Sequence, residues 1–373
     1  MKRIKTFLII FIFSFVGIVG WQKVSANDQI GFSVNAILPK NQANPDSSYF
    51  DLLMTPGQKQ TVQVQLGNSS NQEVIVEIAS ASATTNINGV VEYSPNDIKA
   101  DARLKFDAAK LITPPKEIKL PPMKTIVVDI PVQMPNESFK GVIAGGLTFK
   151  KKADSTQVSQ EKGVSVNNLY QFVVGILMRQ EKGDISPDLV MNSVGPGQVN
   201  YRNVINANLQ NKAMGYLNDM KVEAVIQGVD NKALKYTFAN ENMKMAPNTN
   251  FDLPIPVSKQ GALGDGEFSQ PLEPGKYEVS MIVYGQLDKA GQYKVKNLKG
   301  EEVSFRYKWT FTGDFTIAGA KAAELNAKDV TIKKDNSWIM WAIIIGLLAL
   351  IVFLLLFLLF KKRKKDDENK EIK

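Results

Sequence analysis

The sequence predicts a mainly β protein: two immunoglobulin-like β-sandwich lobes in tandem, followed by a single C-terminal transmembrane helix. Three observations carry that reading. Apolar and polar residues alternate with period two from Gly31 to Arg179 and again after Gly183, the pattern of strands with one buried face. The chain contains no cysteine, so its domains must be held by core burial rather than by bridges. Trp338 to Phe360 is an apolar run without charge, followed at once by Lys361, Lys362, Arg363, Lys364 and Lys365.

Taken from the N-terminus, residues 1–26 read as a signal peptide. Lys2, Arg3 and Lys5 form a basic start, Phe7 to Val19 an apolar centre, and Val24-Ser25-Ala26 a small-residue cleavage site. The exported chain is then expected to begin near Asn27 or Asp28.

The first β-sandwich is expected over residues 27–183. Val62, Val64 and Leu66 alternate with Thr61, Gln63 and Gln65, and Val74, Val76 and Ile78 resume the pattern after a polar turn. This predicts an antiparallel hairpin. Ile126, Val128, Ile130 and Val132 repeat the alternation, and Pro131, which has no N–H to donate, places that strand at an edge. Gly141 to Lys151 and Leu169 to Arg179 are more continuously apolar, as strands covered on both faces are. Ala153 to Asn168 reads as an exposed loop. The glycines of Gly141-Val142-Ile143-Ala144-Gly145-Gly146 suit a bent strand or a close backbone approach. Between Ala79 and Pro122 the pattern weakens: Asn86-Ile87-Asn88-Gly89 is a turn, Asp97 to Phe106 a short helix, and the whole a large insertion.

A second sandwich is expected over 184–317. Ile205, Ala207 and Leu209 alternate with polar neighbours, as do Val222, Ala224 and Ile226, and then Tyr277, Val279, Met281 and Val283. The clearest strand sets Val303, Phe305, Tyr307, Trp309 and Phe311 against Ser304, Arg306, Lys308, Thr310 and Thr312, one face core and the other solvent. Thr55-Pro56-Gly57-Gln58 and Glu273-Pro274-Gly275-Lys276 precede strands in the two lobes and predict type II turns. Residues 318–337 are expected as a juxtamembrane stalk, helical over Ala318 to Ala327. Residues 338–360 form the transmembrane helix, long enough for a hydrocarbon core of about 30 Å. Residues 361–373 form a basic tail on the cytoplasmic side, which places the lobes outside the cell. No sorting motif of the LPxTG type precedes the span, so the helix is expected to remain as the anchor.

Composition closes several function classes. Of 45 basic and 37 acidic residues, the leader holds four basic, and the tail after Phe360 seven basic and four acidic, leaving 34 against 33 between them. A near-neutral ectodomain gives no electrostatic case for nucleic acid. Without histidine or cysteine there is no Ser-His-Asp triad, cysteine nucleophile or His-ligated zinc. Asp265-Gly266-Glu267 lacks the ligand spacing of a calcium loop. No catalytic residues, metal or cofactor are predicted. Carboxylate pairs acting on sugar remain open to any fold.

Several stretches carry a family resemblance. Phe32-Ser33-Val34, Leu38-Pro39, Asn41-Gln42, Tyr49-Phe50-Asp51-Leu52, Pro56-Gly57-Gln58, the Gly141 to Gly146 run and the strand from Tyr170 to Arg179 occur in an order that resembles the peptidoglycan-binding domain of the WxL-interacting proteins of Gram-positive bacteria. Pro187-Asp188-Leu189, Pro274-Gly275-Lys276-Tyr277 and Phe311-Thr312-Gly313-Asp314-Phe315 are similar to that family's host-binding domain. The resemblance implies a non-catalytic cell-surface protein with peptidoglycan, WxL-domain surface proteins and a host extracellular-matrix protein as partners. Asn41, Gln42, Tyr49 and Asp51 combine amide, carboxylate and aromatic chemistry suited to glycan or peptide recognition, although Asn and Asp beside Pro also form turns. Gly141 to Phe149 is a candidate edge for pairing with a partner strand. An adhesion or scaffold module is the leading function; a tethered wall hydrolase or transferase, and an assembly chaperone for exported proteins, are the alternatives.

Overall fold

The computed structural model describes residues 31–152, 170–264, 266–334 and 337–371; the expected signal peptide and the 153–168 loop lie outside the described residues. The first lobe contains β1 (Phe32–Ile37), β2 (Phe50–Leu53), β3 (Lys59–Asn68), β4 (Val74–Ser82), β5 (Thr84–Thr85), β6 (Val91–Glu92), β7 (Glu117–Leu120), β8 (Thr125–Gln133), β9 (Ile143–Lys151) and β10 (Gln171–Arg179). A three-stranded sheet, β1-β3-β8, packs on a five-stranded one, β2-β10-β9-β4-β7. Val62, Val64 and Leu66 face Val74, Val76 and Ile78 in one core, so the alternation located the buried faces.

It did not locate the partners. The expected β3–β4 hairpin is absent: β3 pairs with β1 and β8, while β4 pairs with β7 and β9 in the other sheet. Period two marks one buried face per strand and reads the same whether two strands pair edge to edge or meet face to face across a sandwich. The crossing is fixed at Asn68, whose buried amide donates to the carbonyls of Gln72 (2.8 Å), Leu120 (2.9 Å) and Pro121 (3.1 Å). Nor is Gly141 to Phe149 an edge, because β9 is hydrogen-bonded to β10 on one side and β4 on the other. Its continuous apolar run is that of a covered central strand. Pro131 does lie on an edge strand, β8.

Asp97 to Phe106 is not helical. A single helical turn forms later, over Ala108–Leu111, capped by Asp107. The Asp101 carboxylate accepts from Arg103 N and from side chains of the second lobe, local and tertiary bonds that compete with a helix. At Thr55 to Gln58 the type II turn is present, with Gln58 N donating to Thr55 O at 3.1 Å and Gly57 at φ +71°. Gly275 instead has φ +149° and already pairs with Ile317, so the second Pro-Gly opens a strand directly.

The second lobe contains β11 (Leu189–Val199), β12 (Arg202–Asn211), β13 (Leu217–Gly228), β14 (Lys235–Met245), β15 (Thr249–Pro256), β16 (Gly275–Leu287), β17 (Tyr293–Lys296) and β18 (Glu302–Ile317). Its sheets run β11-β12-β15 and β14-β13-β16-β18-β17. Ile205, Ala207, Leu209, Val222, Ala224, Ile226, Val279, Met281 and Val283 fill the core between them. Phe305 is buried, and Trp309, Phe311 and Phe315 pack against the core, Phe315 stacked on Tyr277 at 5.6 Å.

The expected stalk is in part a piece of this lobe. A helix over Gly319–Lys328 buries Ala322 and Leu325 in the core. Asp329 and Thr331 beyond it are fully buried: the Asp329 carboxylate accepts from Asn203 N (2.8 Å), Ser258 Oγ (2.6 Å) and Thr331 Oγ1 (2.6 Å), and Thr331 O accepts from Ser269 N. Polar composition suggested a solvated stalk, but polar side chains that satisfy one another can be buried. Burial alone raises the Asp329 carboxyl, yet the bonds from Ser258, Thr331 and Asn203 outweigh it and hold the group below its ordinary value of 3.8. A depressed folded pKa stabilises above the unfolded value, and that contribution is lost as pH falls through the folded one. Amide protection over 325–332, taken relative to the intrinsic exchange rate at each pH, should therefore fall as pH drops below the ordinary carboxylate range, and Asp329→Ala should lower it at neutral pH by removing bonds worth about 1.5–3 kcal/mol each to a charged acceptor. Unchanged exchange in the variant would show that Asp329 does not hold this segment.

A last helix runs Ser337–Glu371, and within it Met340–Leu358 is long and apolar enough to cross a membrane.

A candidate ligand groove at the lobe junction

The insertion of the first lobe builds the junction. Thr85 Oγ1 and Thr249 Oγ1 lie 2.7 Å apart in a buried contact, Ala246 N donates to Thr85 Oγ1 at 3.0 Å, and Lys244 N donates to Gly89 O at 2.7 Å. Asp101 accepts from Gln210 Nε2 and Asn250 Nδ2. Val142 N donates to Met214 O at 2.7 Å, and a Cβ on Gly141, which has φ +102°, would lie 2.3 Å from that carbonyl oxygen. Gly146 is likewise approached by the Tyr93 backbone, where a Cβ would meet the carbonyl oxygen at 2.4 Å. The glycine run thus serves close backbone approach, as its sequence predicts.

Beside these contacts lies a groove of about 1060 Å³. Its walls are β1 (Val34, Ala36), the loop before β2, β10 (Phe172, Val174), Tyr93, and from the second lobe Tyr216, Asn218 and Lys244. The hydroxyls of Tyr93 and Tyr216 are 3.0 Å apart, and burial raises both phenol pKa values, that of Tyr216 well above its ordinary value. The Lys244 ammonium sits 4.6 Å over the Tyr216 ring. Burial lowers its pKa, with Asp219 opposing.

The floor of the groove is an ion pair. Asp51 is buried and accepts from Arg179 Nε at 2.8 Å, while Arg179 Nη1 donates to Gly183 O (3.1 Å) and reaches Asp184 (3.4 Å). Burial raises the Asp51 carboxyl above its ordinary range, and Arg179 pulls against that without cancelling it. One guanidinium therefore joins β2, β10 and the linker between the lobes.

Of the four residues expected at a site, two meet in the groove. Tyr49 is 37% exposed on its wall, packed over Gly175, and Asp51 lies beneath. Asn41 and Gln42 do not line it. Asn41 exchanges two hydrogen bonds with the Gln60 amide and donates to Leu53 O; Gln42 donates to Ser47 Oγ and Tyr49 O and accepts from Asp51 N. These amides hold the loop in the turn-forming role that Asn41 also suggested. Arg179, Tyr93, Tyr216 and Lys244 were not expected. Only Arg179, a charge closing an apolar strand, left a signal in the sequence.

Two backbone edges border the groove. Among the described residues β1 pairs only with β3, and β2 covers β10 only from Ile176 to Arg179, leaving the outer side of Gln171 to Gly175 unpaired. The groove thus combines apolar walls, hydroxyls, one ammonium and main-chain donors and acceptors. That set suits an extended ligand rich in amides and carboxylates.

Residues 32–151 match the WxL Interacting Protein peptidoglycan binding domain, and residues 161–327 match the WxL Interacting Protein host binding domain. The chain belongs to the WxL Interacting Protein family. Both matched domains are binding domains, one for peptidoglycan and one for a host. In this WxL Interacting Protein the second match starts before β10, a strand hydrogen-bonded into the first lobe, so the matched boundary and the sheet boundary differ by one strand. No curated protein matches the chain. Among solved structures it is similar to the class 5 fimbriae chaperone CfaA (14% identity, 74% of this chain and 99% of that one, TM-score 0.26). It is also similar to the Pseudomonas aeruginosa CupB2 chaperone (10%, 71% and 97%, TM-score 0.25) and to a PapD-like domain of human CEP192 (10%, 42% and 89%, TM-score 0.25). Likeness at these scores carries no argument about this chain.

Proposed function

We propose that this chain is a non-catalytic, single-pass surface protein, anchored by its C-terminal helix with both lobes outside the cell, which holds peptidoglycan at the lobe junction and presents the second lobe to a host protein. The groove carries this reading, because it offers a long, partly apolar channel with an ammonium and no reactive nucleophile-base pair among its described lining residues. Stem peptides of peptidoglycan supply the amides and carboxylates that such a channel accepts. Detergent-solubilised chain should co-sediment with isolated cell walls, and Lys244→Glu with Tyr49→Ala should cut retention by about tenfold or more, as loss of central anchors does. Equal retention would remove the groove from the function. Release of soluble wall fragments by the purified chain would favour a hydrolase instead.

A second partner is favoured by the open edges of β1 and β10. An extended strand of a WxL surface protein adds to such an edge through main-chain bonds. A pull-down from solubilised envelope should bring WxL proteins with the full chain; their absence would withdraw this partner.

A further inference from the structure

The second lobe has two opposite poles. β12 ends at Asn211, next to Gln210, which donates to Asp101 of the first lobe, and begins at Arg202, about 30 Å away by strand rise. At that far pole three segments converge: the β11–β12 turn, the loop around Phe268, and residues 329–332. Val330 N donates to Tyr201 O at 3.0 Å, and Ser269 bridges to Ile332. Their apolar side chains point outward. Tyr201 is 68% exposed, Val330 57% and Phe268 46%.

Tyr201 is also held at φ +57°, next to Asn200 at +49°, in a two-residue turn between Val199 and Arg202. Such turns favour Asn and Gly, and a bulky side chain there is strained. The strain goes unrewarded by burial within the lobe. Cations belong to the same segments: Arg202 follows Tyr201 and donates to Gly261 O, Lys333 and Lys334 follow Ile332, and Lys259, whose N donates to Ser269 Oγ, pairs with Glu267 at 3.4 Å.

From this pole the chain leaves for its apolar helix. Only five steps separate Ile332 from Ser337, a reach of about 17 Å at full extension. We propose that the Tyr201, Phe268 and Val330 pole is a membrane-docking surface, seated in the headgroup layer of the bilayer that the helix enters. The inference rests on reading that helix as a span. An aromatic and apolar cluster with cations in the same segments is the composition that lies in a bilayer interface. Docking stands the molecule on its second lobe and points the groove away from the membrane.

The absence of native cysteine permits a direct test on the full chain in nanodiscs of phosphatidylcholine and phosphatidylglycerol. An environment-sensitive label is attached through Phe268→Cys, Tyr201→Cys or, at the far end of the first lobe, Glu73→Cys. Quenching by lipid-borne doxyl groups should be about threefold or more stronger at 268 and 201 than at 73. In the Val330→Cys chain, adding Tyr201→Asp and Phe268→Asp should return the label to a water-like emission. Incorporation into nanodiscs with equal quenching at all three positions would overturn the docking surface while leaving the span intact. Failure to incorporate would overturn the span and the docking surface together.

Discussion

Replacing Arg179 by Met is expected to destabilise the first lobe by about 3–5 kcal/mol, the usual consequence of removing one partner of a buried ion pair. Among the described residues the guanidinium is the one cation paired with the buried Asp51 carboxylate, and it also bonds Gly183 O and reaches Asp184. Its loss leaves a charge without compensation and frees the linker. The effect has a pH signature. Burial already raises the folded Asp51 pKa above the ordinary 3.8, and without Arg179 it rises further. A raised carboxyl costs stability above its folded pKa and nothing below the unfolded value, so acidification should return part of the loss. Adding Asp51→Asn should return part of it at neutral pH. Because two lobes need not unfold together, amide exchange in β2 and β10 is the measurement that isolates the site. Protection of these strands unchanged in Arg179→Met would show that the pair does not hold the groove floor.

Gly141→Val is the second large expectation. A Cβ there meets Met214 O at 2.3 Å from a residue with φ +102°, so both backbone strain and overlap oppose the substitution. Each contributes about 1–3 kcal/mol. The overlap lies between the lobes and not within one core, so the expected result is separation of the lobes with each sandwich intact. Small-angle scattering should show a larger radius of gyration, and proteolysis near Gly183 should quicken, while far-UV circular dichroism stays the same. A variant with unchanged dimensions would show that the Thr85–Thr249 and Asp101 contacts suffice to dock the lobes.

The buried faces were legible in the sequence because alternation records burial residue by residue. Val62, Ile205 and Val279 all fall where the pattern puts them. Strand partners were not legible, as β3 and β4 show: the same alternation serves a hairpin and a face-to-face pair. Half of the expected residues line the candidate groove. Tyr49 and Asp51 lie close to one another in sequence and meet in the groove, whereas Arg179 is 128 residues from Asp51, and Tyr93 is 123 from Tyr216. No local pattern announces contacts at such separations.

The sequence by itself determined a two-lobed β chain without cysteine or histidine, ending in an apolar helix and a basic tail. Those properties depend on composition and on neighbours a few residues apart. Only the tertiary structure decided that the lobes dock through an insertion, that β10 completes the first lobe with half its edge open, and that residues 319–332 fold into the second lobe instead of forming a free stalk. Each of these depends on polar groups finding partners far along the chain. Asp101, Asp329 and Arg179 are charged, and are buried because the fold brings their hydrogen-bond partners to them.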